Sequence, residues 1–259
     1  MKRSFVFGLI LLFLLPAPVL ALTGKTVELS EVIKALEAPF KVDTVRKEGE
    51  QSVIVDFQAE FHQESLIASL DRVQRGEGKV SVKFRRKEAD RVPLTMFRWE
   101  YKEPNRQEIV SDGKTMWVYL PENGQVIISD IQDTSPSGPS DPMTFLTGLG
   151  NLSGDFIITW ASPDRDTGGN YVLELQPRRP SPMIQRMLVV VNRDAVLQAG
   201  AGSRPVFPML STTVVDPSGN STAIEFRDVR VNTGLSDGFF TFVPPEGVEI
   251  LRPTGETGF

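Results

Sequence analysis

Residues 97–126, FRWEYKEPNRQEIVSDGKTMWVYLPENGQV, constrain this chain more than any other stretch. They read as three consecutive antiparallel strands. Phe97, Trp99 and Tyr101 alternate with Arg98 and Glu100. A strand sends successive side chains to opposite faces, so the three rings share one face and the two charges the other. Glu103-Pro104-Asn105 breaks the first strand. Gln107, Ile109 and Ser111 fall in one phase of the second, and Ser111 to Lys114 makes the next turn. Thr115 to Leu120 is the third, with Trp117 and Tyr119 in phase with each other. Pro121-Glu122-Asn123-Gly124 turns again, with Asn-Gly where a positive φ is cheap. Two of the three tryptophans and two of the three tyrosines lie in these strands. That is more aromatic surface than one sheet face needs against a single helix.

The rest of the chain extends the same pattern. A short helix is expected over 28–38, capped by Thr26 or Ser30, because Leu29, Val32, Ile33 and Leu36 form a one-sided stripe. Ala38-Pro39 ends it. Ser52–Phe61 and Leu70–Lys87 are strands. Gly76 and Gly78 in the second mark a bulge or sharp bend, and Val80, Val82 and Phe84 share a phase. Val126–Asp130 follows. After a loop at 133–142, Asp141 and Pro142 open a short apolar helix over Met143–Leu149. Asp155–Trp160, Asn170–Leu175, Met183–Val191, Leu210–Val215, Ser221–Val231 and Phe239–Val243 are strands separated by Gly- and Pro-rich turns. About eleven closely spaced strands with two short helices give a mainly β, antiparallel architecture rather than α/β. No composition shift divides the chain, so 22–252 reads as one domain, with 253–259 a frayed tail.

Composition excludes several functions. The net charge of −5 is not that of a nucleic-acid binder. With no cysteine, disulfides, thiol catalysis, a Cys-ligated zinc and a lipid anchor on cysteine are all ruled out. Residues 1–21 read as an export signal. Lys2 and Arg3 precede the apolar run Phe5–Leu15, which is short for a membrane span, and Val19-Leu20-Ala21 suits cleavage. Removal takes the net charge from −5 to −7, since the segment holds two basic residues and no acidic one.

Catalytic signals are thin. His62 is the only histidine, which leaves triads and most transition-metal sites without their parts. Asp164-Arg165-Asp166-Thr167-Gly168 echoes a calcium loop but lacks its distal Glu, and reads as a hairpin turn. The positive signal is apolar. Two readings of it stand open: a sandwich or barrel filled by its own side chains, and a sheet curved around a greasy ligand with the 141–150 helix as lid.

Several stretches resemble the LolA family of periplasmic lipoprotein carriers. FRWEYKEPNRQEIVSDGKTMWVY (97–119) is similar to its central strands. DFQAEFHQ (56–63), DPMTFLTGLG (141–150) and FRDVRVNTGLSDGFFTFVPPEGVEIL (226–251) resemble its first strand, lid helix and C-terminal signature. The resemblance implies an open, incomplete antiparallel β-barrel whose apolar concave face is covered by short helices, with no cofactor and no enzymatic activity. It implies a monomer that carries acylated lipoproteins from an inner-membrane ABC-type releasing complex to an outer-membrane lipoprotein receptor. By resemblance Phe97, Trp99, Tyr101, Ile109, Trp117 and Tyr119 line the cavity, with Val82 and Phe84 beside them. Met143, Phe145 and Leu146 face it from the lid. Arg91 is the expected lid latch, with Arg85 behind it. Residues 40–51 and 199–208 look like insertions. A lipid-sensing regulatory module on the same fold is the alternative.

Overall fold

The computed structural model describes residues 27–41, 53–85, 94–131, 149–199 and 206–252. Among these residues three α-helices, α1 (Leu29–Glu37), α2 (Leu152–Asp155) and α3 (Arg193–Leu197), accompany twelve strands. These are β1 (Asp56–Ile67), β2 (Arg72–Arg85), β3 (Leu94–Glu103), β4 (Gln107–Ser111), β5 (Thr115–Leu120), β6 (Gln125–Asp130), β7 (Phe156–Arg165), β8 (Tyr171–Pro177), β9 (Arg186–Val191), β10 (Met209–Val215), β11 (Ser221–Val231) and β12 (Glu249–Leu251). All twelve belong to one sheet, in the order β12-β6-β5-β4-β3-β2-β1-β11-β10-β9-β8-β7. The pairing is antiparallel throughout except for β12, which runs parallel to β6. The first and last strands of that order do not pair, so the sheet stays open. The fold is the mainly β, incomplete barrel expected, with twelve strands.

The long hairpin β1–β2 turns through a 3₁₀ turn at Ala68–Leu70, with Asp71 left-handed at φ 46°. The bend expected near the glycines is present. The β2–β3 register shifts between Glu77 and Gly78. A Cβ on Gly78 would stand 2.0 Å from the Glu100 carbonyl oxygen and 3.0 Å from the Phe61 ring. Glycine is required there because two neighbouring groups occupy the space of a side chain.

One face of the sheet carries the main core; we call it the inner face. α1 lies over it, burying Val32, Ala35 and Leu36. Its cap differs from expectation. Glu28, not Thr26 or Ser30, is the N-cap residue, and its N–H donates to Glu31 Oε2 at 3.0 Å. Beyond α1, Phe40 packs edge-on to Phe84 at 5.3 Å and to Phe207 at 6.1 Å. Phe207 also meets Phe57 at 4.6 Å. Residues 199–208 looked like an insertion, yet Phe207 is a core residue; a lone Phe between prolines has no periodicity to announce it. α3 was also not foreseen. Asn192 caps it, accepting from the Asp194 and Ala195 N–H groups at 2.8 and 3.3 Å.

Two other expectations change. Phe239–Val243 is not a strand. Asp237–Phe240 is a 3₁₀ turn, and the strand comes later, as β12. The segment from Asn232 onward crosses the outer face as a strap. It is pinned at its start by Asp56, a buried carboxylate that accepts from Thr233 N at 2.6 Å, Thr233 Oγ1 at 2.9 Å, Gly234 N at 3.0 Å and Leu235 N at 3.3 Å. Asn232 completes the joint, accepting from Val55 N and donating to Val53 O, both at 2.8 Å. The helix expected over Met143–Leu149 lies outside the described residues except for its last position. From there the chain leads into α2, where the Ser153 N–H donates to the buried Glu37 carboxylate at 2.6 Å.

Candidate functional site

The ladder registers decide which side chains share the inner face. Phe57 opposes Val82, and Val82 opposes Phe97. Ala59, Val80, Trp99 and Ile109 form the next row, and Ile109 opposes Val118. Residues directly opposite in a ladder point to the same face. Phe97, Trp99, Tyr101, Ile109, Val82 and Phe84 therefore stand together, as strand phase indicated within each strand. Phe61 sits edge-on to both Trp99 and Tyr101, each at 4.8 Å. Phe61, Met116 and Val118 belong to this surface too, although the sequence reading did not assign them to it. Phe61 shared a phase with Phe57 and could have been found. Met116 and Val118 depend on the β4–β5 register, which no in-strand pattern reveals.

Trp117 and Tyr119 require a correction. They oppose Val110 and Glu108, so they point to the outer face, away from Trp99. Phase holds within one strand, but the turn between β4 and β5 sets how two strands align, and a one-residue difference reverses every side chain. Tyr119 reaches the strap. Tyr119 lies 5.6 Å from the Phe242 ring. Nearby, Met96, Val110, Val126 and Phe240 are buried apart from the inner cluster, as a second, smaller core.

Arg85 is also on the outer face, in phase with Lys83. Both bind Asp237 of the strap, Arg85 at 3.5 Å and Lys83 at 2.6 Å. A side chain held there does not latch a lid on the inner face. The Lys83 bond, reinforced by the nearby charges of Lys83 and Arg85, outweighs desolvation and holds the Asp237 carboxyl below the usual range. Arg91, Met143, Phe145 and Leu146 lie outside the described residues.

Burial is uneven across the inner face. The centre is closed: Trp99, Phe57, Phe61 and Val80 are fully buried. On the β3–β5 flank, Tyr101, Met116 and Val118 are only partly covered. On the other flank Ile158 and Trp160 are in the same condition. There Arg165 stacks over Tyr171 at 4.0 Å and Trp160 at 5.1 Å. Three buried polar atoms of the inner face, Trp99 Nε1, Thr95 Oγ1 and Thr212 Oγ1, have no hydrogen-bond partner among the described residues.

Beyond the strap the outer face is polar. A recess of about 450 Å³ is lined by Gln58, Glu60, Lys79, Ser81, Glu100 and Arg230. A second of about 660 Å³ holds His62, Glu64, Arg75, Glu77, Glu225 and Arg227. His62 lies mid-strand, with Nε2 3.5 Å from Glu77. The Arg227 bond holds the Glu225 carboxyl below its usual value despite desolvation, with the charges of Arg227 and His62 adding to it. Among the described residues no group of three His, Asp or Glu side chains could hold a metal ion. The 164–168 segment is a hairpin turn. Asp166 Oδ1 accepts from Gly168 N and Asn170 N, each at 2.8 Å. Among the described residues no helix is long and apolar enough to cross a membrane.

The family model "Outer membrane lipoprotein carrier protein LolA" matches residues 52–243. An outer-membrane lipoprotein carrier protein of Alkalilimnicola ehrlichii is 32% identical over 160 residues, 61% of this chain and 64% of that relative. One from Chromohalobacter salexigens is 26% identical over 203 residues, 78% of this chain and 83% of that relative. The chain thus spans just under two thirds of the length of the first of these. A solved LolA-superfamily protein of Nitrosomonas europaea covers 84% of this chain and 99% of its own at 17% identity, with a TM-score of 0.38. With the family model spanning both the central aromatic strands and the C-terminal strap, the chain belongs to the LolA family.

Proposed function

We propose that this protein is a periplasmic carrier that holds the acyl chains of lipoproteins against its inner face and moves them from the inner to the outer membrane. The observation that carries the reading is the partly covered apolar flank of Tyr101, Met116 and Val118, set beside a closed aromatic centre. Aromatic and Met side chains cover one another when empty and part around a flexible chain. Burying an acyl chain of some fifteen methylenes is worth on the order of 12 kcal/mol against water. A bilayer offers about the same, so transfer between membrane and carrier is close to neutral. An ATP-driven inner-membrane complex is the fitting donor and a tighter-binding outer-membrane receptor the fitting acceptor. In this reading residues 1–21 direct export, 22–252 act as one carrier domain, and no step is enzymatic. Met143, Phe145, Leu146 and Arg91 keep their proposed lid and latch roles.

The test is release of lipoproteins from spheroplasts by the purified protein. A soluble complex with acylated lipoprotein is expected. No release, together with no bound acylated molecule after purification from the periplasm, overturns the reading.

A further inference from the structure

The inner face holds three polar atoms that an acyl-chain surface has no use for. Trp99 is fully buried, and its indole N–H finds no acceptor among the described residues. Its ladder neighbours are Val80 and Ile109, and Phe61 lies edge-on at 4.8 Å. None offers an oxygen. Tyr101, one step along the same face, is different: its hydroxyl donates to Gln63 Oε1 at 2.8 Å. Thr95 sits four residues before Trp99 on the same face, opposite Phe84, with its hydroxyl unpartnered. Thr212, opposite Val189 and Ile224, repeats the pattern.

Leaving a polar group dry and unbonded is expensive, and buried donors in folded proteins are nearly always paired. Phe in place of Trp99 and Val in place of either Thr would fill these positions without that cost. We propose that Trp99 Nε1–H is a ligand-binding donor, which bonds an ester carbonyl of a diacylglyceryl group when acyl chains enter between Trp99 and the partly covered flank. The proposal rests on the carrier reading and deepens it. The face selects acylated molecules by their ester carbonyls as well as by their hydrocarbon, and Thr95 and Thr212 supply further donors along it.

Two probes separate these contributions: a peptide carrying S-[2,3-bis(palmitoyloxy)propyl]cysteine, and the same peptide with both chains attached as hexadecyl ethers. They share peptide carbonyls and nearly equal hydrocarbon, and differ in the ester carbonyls. Wild-type protein is expected to bind the ester about tenfold more tightly than the ether. Trp99→Phe keeps the ring and loses the N–H, and should lose most of that preference. In ¹⁵N-labelled wild-type protein, the Trp99 indole resonance should move downfield with the ester and not with the ether. That readout decides the matter by itself if the variant fails to fold. Equal binding of ester and ether by the wild type, with no distinct indole shift, overturns the proposal and leaves the carrier reading standing. Failure of both probes to bind overturns the carrier reading and this proposal together.

Discussion

Asp56 is the residue on which most of the outer layer depends. Its carboxylate accepts four hydrogen bonds from Thr233, Gly234 and Leu235, and it is 1% exposed. Asp56→Ala leaves those donors without acceptors. We expect a loss of about 3 kcal/mol, seen as a Tm lower by roughly 6–12 °C. Asp166 makes similar turn bonds at an exposed hairpin, and Asp166→Ala should change Tm far less. Equal effects at the two positions would show that burial of the Asp56 joint contributes nothing. Gly78→Ala is the second residue-scale test. With a Cβ only 2.0 Å from the Glu100 carbonyl oxygen, β2 and β3 must separate there, at a cost of at least about 2 kcal/mol by urea unfolding. The glycine could be read from the sequence as a bend. Asp56 could not, because a single Asp at a strand start carries no signal of the strap that meets it 177 residues later.

At the scale of elements, the strap and the inner face are separate layers on one sheet. Strand phase was legible wherever it concerned one strand: Phe97, Trp99 and Tyr101 share a face as their alternation indicated. It failed between β4 and β5, where register, not phase, put Trp117 and Tyr119 outside. Neighbouring residues of β5 turn this into a measurement. Val118→Glu places a charge on the inner face and should abolish binding of a palmitoylated peptide. Tyr119→Glu charges the outer face and should leave that binding within about twofold while lowering stability, since it loses the packing on Phe242. Loss of binding in both variants, with both folded, would place the ligand elsewhere. The strap also has an acid limit. Asp237 has a depressed pKa in the folded state, so its ion pairs with Lys83 and Arg85 stabilise fully above its ordinary value of 3.8 and are lost as pH falls through the lower folded value. As pH falls below 3.8, the near-ultraviolet absorbance of Tyr119, which packs on Phe242 of the strap, should therefore change before the Trp99 indole does.

At the scale of the molecule, an open sheet has a centre and two flanks that answer a ligand differently. β1 and β2 lie between other strands and carry the fully buried Phe57, Phe61 and Val80. β7 and β12 are its ends, and Ile157 and Ile250 there are about half exposed. Opening free energies should follow that order, with amides of β1 and β2 exchanging near the global unfolding limit and those of β12 fastest. The sequence conveyed that the sheet is antiparallel and apolar on one side. It did not convey how far α1 covers each flank, because that depends on contacts among α1, α3 and β7, far apart in the chain. Ligand-dependent exchange reads that asymmetry directly. If acyl chains enter beside Trp99, adding a palmitoylated peptide should slow amide exchange in β3, β4 and β5 and leave β8 and β9 unchanged. Protection appearing instead in β7 and β8, around Trp160 and Arg165, would move the acyl site to the opposite flank. The Trp99 N–H would then be without a role in binding.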